Sequence, residues 1–136
     1  GSGELPEATR QARFIAMLLR QGIVPRGIVH FDQLSEIGVY RLLFELWESP
    51  ALAAFVDDAL GDLRTRDKRG LYRATLLAYL NAGGSQVETA ATLGIHRNTL
   101  AYRLRQIGQL LGRDPDDPTM RLVLHLALVA ASLPDS

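Results

Sequence analysis

The chain contains no cysteine. Disulfide frameworks and thiolate metal sites are therefore excluded, and a reducing compartment is compatible with the composition. It also lacks net charge: fifteen Lys and Arg balance fifteen Asp and Glu in 136 residues. No global field draws it to nucleic acid or to a membrane surface. No apolar run reaches the ~18 residues of a membrane span. There is no internal repeat or low-complexity segment. The opening Gly1-Ser2-Gly3 reads as an expression scar rather than a signal peptide, and the chain as a fragment of a longer protein. Catalytic signatures are missing as well: no serine elbow, P-loop or HExxH is present. His30, His96 and His125 have no metal-ligand spacing. Asp114, Asp116 and Asp117 lack the EF-hand spacing and are interrupted by proline. The expectation is no catalytic residue, no metal and no cofactor.

What remains is ordinary for a folded domain, with 47% hydrophobic and 22% charged residues. A chain of this size buries roughly two-thirds of its unfolded surface. Helical periodicity appears over Glu7–Gln21 through Ala12, Ile15, Ala16 and Leu19, and again over Ile37–Trp47. Ser49-Pro50 and Asp117-Pro118 each combine an N-cap with Pro at the first turn. Asp67–Asn81 reads as a further helix, stopped by Ala82-Gly83-Gly84. The last helix, from Pro118 to about Ser132, is apolar almost all round, so it is central to a core or covered by a partner chain. Gly27–Phe31 is a short β-branched run that reads as a strand without a partner. The expected fold class is all-α, a helical bundle with an N-terminal helical extension carrying one short strand.

Charge distribution is more informative than its sum. Thr89–Arg113 holds four arginines and no acid. Just before it, Ser85-Gln-Val-Glu88 fits the capping box S-x-x-E. A short helix follows, with Val87, Ala90 and Leu93 expected inward. Gly94 permits a tight turn at positive φ, and Ile95 plugs the corner. On the next helix Leu100, Leu104, Ile107 and Leu111 form a narrow inward stripe. Asn98, Tyr102, Arg105 and Gln109 fall on the opposite face, with Arg97 and Arg103 on the flanks. A short helix, a glycine turn and a basic helix make the helix-turn-helix pattern. A carboxylate on the outer face would repel phosphate, which accounts for the missing acids. An αα-hairpin with a solvated basic face is the competing reading.

Residues 71–130 resemble the C-terminal helix-turn-helix domain of PucR/CdaR-type bacterial transcription regulators. The resemblance rests on Thr75-Leu76, Tyr79-Leu80, Thr89-Ala90, Leu93, His96–Leu100, Tyr102–Leu104, Ile107, Asp114, Asp117-Pro118 and Arg121–Ala127. Ser85 stands where that family commonly has Asn, and Ala101 where Arg is frequent. Residues 29–46 resemble, more loosely, the segment joining the family's cyclase-like (GGDEF-like) domain to its DNA-binding domain. The resemblance implies three parts: 1–48 as the tail of the cyclase-like domain and connector, 49–66 as a linking helix, and 67–136 as the helix-turn-helix domain. It also implies double-stranded DNA as partner, a bacterial cytoplasmic location, no membrane, and an effector ligand bound by a domain absent from this chain.

Candidate DNA-binding residues are Ser85, His96, Arg97, Asn98, Thr99, Tyr102, Arg103 and Arg105, with the recognition helix over 96–111. Asn98 and Arg97 have the chemistry to read adenine and guanine in the major groove. Both equally suit capping or phosphate contact. Tyr102 and Arg105 suit phosphate, while Arg103 suits the DNA backbone or an internal acid. Thr99 suits phosphate or closure of the first turn, and His96 a cap or phosphate. The apolar last helix leaves a homodimer open, and a helical dimerisation module without DNA binding is the alternative function.

Overall fold

The computed structural model describes residues 6–20, 38–67 and 69–133. All regular structure among them is helical: α1 (Glu7–Arg20), α2 (Gly38–Leu46), α3 (Pro50–Leu60), α4 (Leu63–Arg66), α5 (Leu71–Asn81), α6 (Gln86–Leu93), α7 (Arg97–Leu111) and α8 (Pro118–Ala131). The strand expected over 27–31 lies outside the described residues. Two compact units are distinguished, residues 1–54 with 129–136, and residues 55–128.

In the first unit the amphipathic α1 buries Phe14, Ile15, Met17 and Leu18. Phe14 meets Phe44 of α2 edge to face, with centroids 5.4 Å apart and planes at 81°. Trp47 joins them at 6.0 Å from Phe14 and 6.3 Å from Phe44. Such aromatic pairs contribute about 0.5–1.5 kcal/mol beyond their area burial. The Arg10 guanidinium lies 4.9 Å above the Phe44 ring and Arg13 lies 5.6 Å above Trp47. These two cations are engaged by the aromatic cluster.

The second unit contains the helix-turn-helix. Helices α5, α6 and α7 pack against one another, and α4 packs on α7. Leu76 of α5, Leu100 and Ile107 of α7 and Leu124 of α8 are fully buried. Each fully buried Leu or Ile contributes about 1.5–3 kcal/mol relative to exposure. Thr75 and Thr89 are buried too, which polar side chains tolerate only when bonded. Their hydroxyls donate to the carbonyls one turn earlier, Thr75 to Leu71 at 2.8 Å and Thr89 to Ser85 at 2.6 Å.

Both Ser-Pro and Asp-Pro starts behave as N-caps. Ser49 Oγ accepts the Leu52 amide at 3.1 Å and Asp117 Oδ1 the Thr119 amide at 2.9 Å. Other expectations are corrected. The helix expected from Asp67 begins at Leu71, and the Asp67 carboxylate instead reaches forward to the amides of Tyr72 at 3.0 Å and Arg73 at 2.9 Å. Val87, expected inward, is 81% exposed. The inner face of α6 is Thr89 and Ala90, with Leu93 half-buried. Leu104 is likewise only half-buried, so the α7 stripe rests on Leu100, Ile107 and Leu111.

Candidate nucleic-acid interface

The geometry of the site begins at two caps and one turn. Ser85, in extended conformation, accepts the Glu88 amide through Oγ at 3.2 Å. Glu88 does not complete the capping box, since the Ser85 amide donates to the Ala82 carbonyl at 3.2 Å. At the other end of α6, Gly94 takes φ 66° and ψ 35°. Its amide donates to Ala91 at 3.2 Å, and that of Ile95 to Ala90 at 3.1 Å. This pair of bonds is a Schellman closure, which needs a left-handed residue at that position. The chain then extends for one residue, His96, and α7 starts.

His96 is the N-cap of α7, and its Nδ1 accepts the Asn98 amide at 3.0 Å. That bond assigns the imidazole a structural role at the head of the helix. Arg97, Asn98 and Thr99 follow on the first turn, all exposed. One turn on, Tyr102 is 53% exposed and Arg105 is exposed, while Arg103 is half-buried on the flank. The structure therefore gathers Asn98, Tyr102 and Arg105 on the solvent side of α7, opposite Leu100 and Ile107. Ser85 is half-buried at the start of α6, with its oxygen engaged by the cap.

Several other arginines of this unit lie beside acids. Arg64 pairs with Asp57 at 2.8 Å and Arg73 with Asp67 at 3.4 Å. Arg113, after α7, stands 3.6 Å from Asp58. Among the described residues no carboxylate lies within ion-pair distance of Arg97, Arg103 or Arg105. A positive helix face without local neutralisation is the chemistry that takes up phosphate. The positive end of the helix dipole at His96–Asn98 adds to it. Beside α7 an open hollow of about 350 Å³ is lined by Gln86, Ala101, Leu104, Arg105 and the 113–116 segment. The small Ala101 side chain leaves this space.

No group of His, Cys, Asp and Glu gathers around a common point among the described residues. No described helix is long and apolar enough to cross a membrane. Sequence reasoning placed Arg121 and Tyr79 only in the family resemblance and missed their contacts, which lie far along the chain. Arg121 donates to the Gly83 carbonyl at 2.8 Å, and Tyr79 donates to the Asp116 carboxylate.

Residues 72–130 match the PucR C-terminal helix-turn-helix domain. The chain is 34% identical over 131 residues to the carbohydrate diacid regulator of Escherichia coli K12, covering 94% of this chain and 32% of that protein. It is 48% identical over 63 residues to the transcriptional activator PmfR of Paenarthrobacter nicotinovorans, covering 46% of this chain and 13% of the activator. It is 44% identical over 54 residues to the purine catabolism regulatory protein of Bacillus subtilis, covering 40% of this chain and 10% of that one. The chain thus spans about a third of the first relative and less of the others. No solved structure matches it significantly.

Proposed function

We propose, on the premise that residues 72–130 belong to the PucR C-terminal helix-turn-helix domain family, that this chain is the DNA-binding part of a bacterial transcription regulator. The observation that carries the proposal is the outer face of α7. Asn98, Tyr102 and Arg105 are exposed together there, and no carboxylate neutralises the arginines of that helix. In this reading α7 enters the major groove, which is about 12 Å wide and admits a helix. Arg97 and Asn98, at its leading end, read base edges. Tyr102, Arg103 and Arg105 hold phosphates, as does Arg97 beside its base, and Thr99 adds a hydroxyl to the first turn. His96 and Ser85 serve through their caps, by aiming the N-termini of α7 and α6. Selection of bound sequences from a random duplex library tests the proposal. Recovery of a shared motif supports it, and a library that never enriches rejects it.

A homodimer is part of the proposal on a separate observation: Leu122, on α8, is 63% exposed. A two-fold pair would present two α7 helices to inverted half-sites about 10 base pairs, or a multiple of that, apart. The dimerisation module without DNA binding predicts the pairing alone, so sedimentation with and without duplex separates the two. Residues 1–48 are assigned to an upstream cyclase-like domain and its connector, 49–66 to a link and 67–136 to the DNA-binding domain. An effector ligand, in this reading, is bound outside this chain, and the regulator works in the cytoplasm.

A further inference from the structure

The turn between α5 and α6 is held from outside. Gly83 and Gly84 both take positive φ, 64° and 84°. The Gly83 carbonyl accepts Arg121 Nη1 at 2.8 Å, 38 residues along the chain. A Cβ on Gly84 would stand 2.6 Å from the same Nη1. The guanidinium thus lies flush on the turn, and glycine is what admits it. Arg121 Nη2 also donates to the Asp116 carbonyl at 3.3 Å. The Asp116 carboxylate in turn accepts the Tyr79 hydroxyl. Two segments therefore meet on the Arg121 side chain, the turn that delivers Ser85 to the start of α6 and the loop that leaves α7, and the end of α5 joins them through Tyr79 and Asp116.

We propose that Arg121 is a positioning residue for DNA binding, which fixes α6 against the exit of α7 without touching DNA. This rests on the DNA-binding reading above. Both terminal guanidinium nitrogens are engaged by backbone carbonyls. The remaining nitrogen, Nε, is buried with no partner, and an unmet buried donor offsets much of what the two bonds contribute to stability. The clasp therefore gives more to geometry than to stability. It sets where the Ser85 cap and the first turn of α6 stand relative to α7, and hence how the two helices meet one duplex together.

The test compares Arg121→Ala, Arg121→Lys, Arg105→Ala and Leu124→Ala in the same chain. Duplex affinity is measured across a salt series, with the folded fraction of each variant from thermal melts. Amide exchange is followed over residues 83–89. Arg121→Ala weakens binding per folded molecule by about three- to thirtyfold, as residues coupled to a site without touching its ligand do. Its log–log salt slope stays that of the unaltered chain, whereas Arg105→Ala lowers the slope by about one. Arg121→Lys restores part of the affinity, because an ammonium still reaches the Gly83 carbonyl. Leu124→Ala lowers the melting temperature and leaves affinity per folded molecule unchanged. Exchange over 83–89 rises in Arg121→Ala relative to the rest of the unit, whereas in Leu124→Ala any rise is shared by the whole unit.

A lowered salt slope in Arg121→Ala makes Arg121 a phosphate contact and overturns the proposal. A loss that only follows the folded fraction, as for Leu124→Ala, overturns it as well. An unaltered chain that binds no duplex removes the DNA-binding reading and this proposal with it. The exchange measurement then still shows whether the clasp holds the turn.

Discussion

His96 Nδ1 accepts the Asn98 amide at 3.0 Å, so the imidazole caps the helix whose exposed face carries Asn98. The cap spends a backbone donor of the first turn and leaves the Asn98 carboxamide to point outward. His96→Ala is expected to cost about 1 kcal/mol of stability, as lost N-caps do, while His96→Asn keeps an acceptor and costs little. Denaturant unfolding of the two variants checks this. If His96→Asn is as stable as the unaltered chain yet binds duplex much more weakly, the imidazole itself touches DNA.

Reading and gripping separate at Asn98 and Arg105. Asn98→Ala is expected to cost ~1–3 kcal/mol on the selected site and little on random duplex, because a lost base contact removes discrimination. Arg105→Ala is expected to weaken both by similar factors. Competition binding with the two duplexes measures the difference. Equal losses for Asn98→Ala would make Asn98 a phosphate contact.

The turn before α7 was legible because its chemistry is local. Gly94 sits where a left-handed residue closes a helix, and the Ser85 cap is written three residues ahead of its partner Glu88. Apolar identity misled at Val87. Once Ser85 caps, the inner face of α6 falls on Thr89 and Ala90, and Val87 is left on the outside. Thr89 is polar, yet it faces inward because its hydroxyl is satisfied within its own helix. Asp67 reaches five and six residues ahead to cap α5, past the spacing that cap rules describe. Contacts such as that of Arg121 with Gly83 join distant segments, and no periodicity announces them. For α8, sequence pattern gave apolar residues on all sides, but only packing distinguishes buried Leu124 from exposed Leu122.

Gly94 has no heavy atom within 4 Å of a built Cβ, so space does not forbid a side chain there. Its φ of 66° does. Gly94→Ala is expected to cost ~1–2 kcal/mol through the left-handed backbone alone, and Gly94→Asn less, since Asn tolerates that region. Equilibrium unfolding of both measures it. A neutral Gly94→Ala would mean that the turn relaxes to another closure.

His125 gives the second unit an acid sensitivity. Burial on α8 disfavours its charged form and lowers its pKa from the ordinary 6.5. The unfolded chain then binds this proton more readily than the folded one. The stability concerned is complete above pH 6.5 and is lost as pH falls through the depressed folded value. His125→Gln should therefore flatten the decline in stability as pH falls below the ordinary histidine value of 6.5. Unfolding curves across that range check it, and an unchanged decline would place the sensitivity in other groups.

The most direct measurement of the central claim is duplex affinity against salt concentration, for the unaltered chain and for Arg97→Ala, Arg103→Ala and Arg105→Ala. If these arginines neutralise phosphates, log affinity falls linearly with log salt, and each replacement reduces the slope by about one. A complex indifferent to salt, slopes unmoved by all three replacements, or no complex with any duplex would contradict the account.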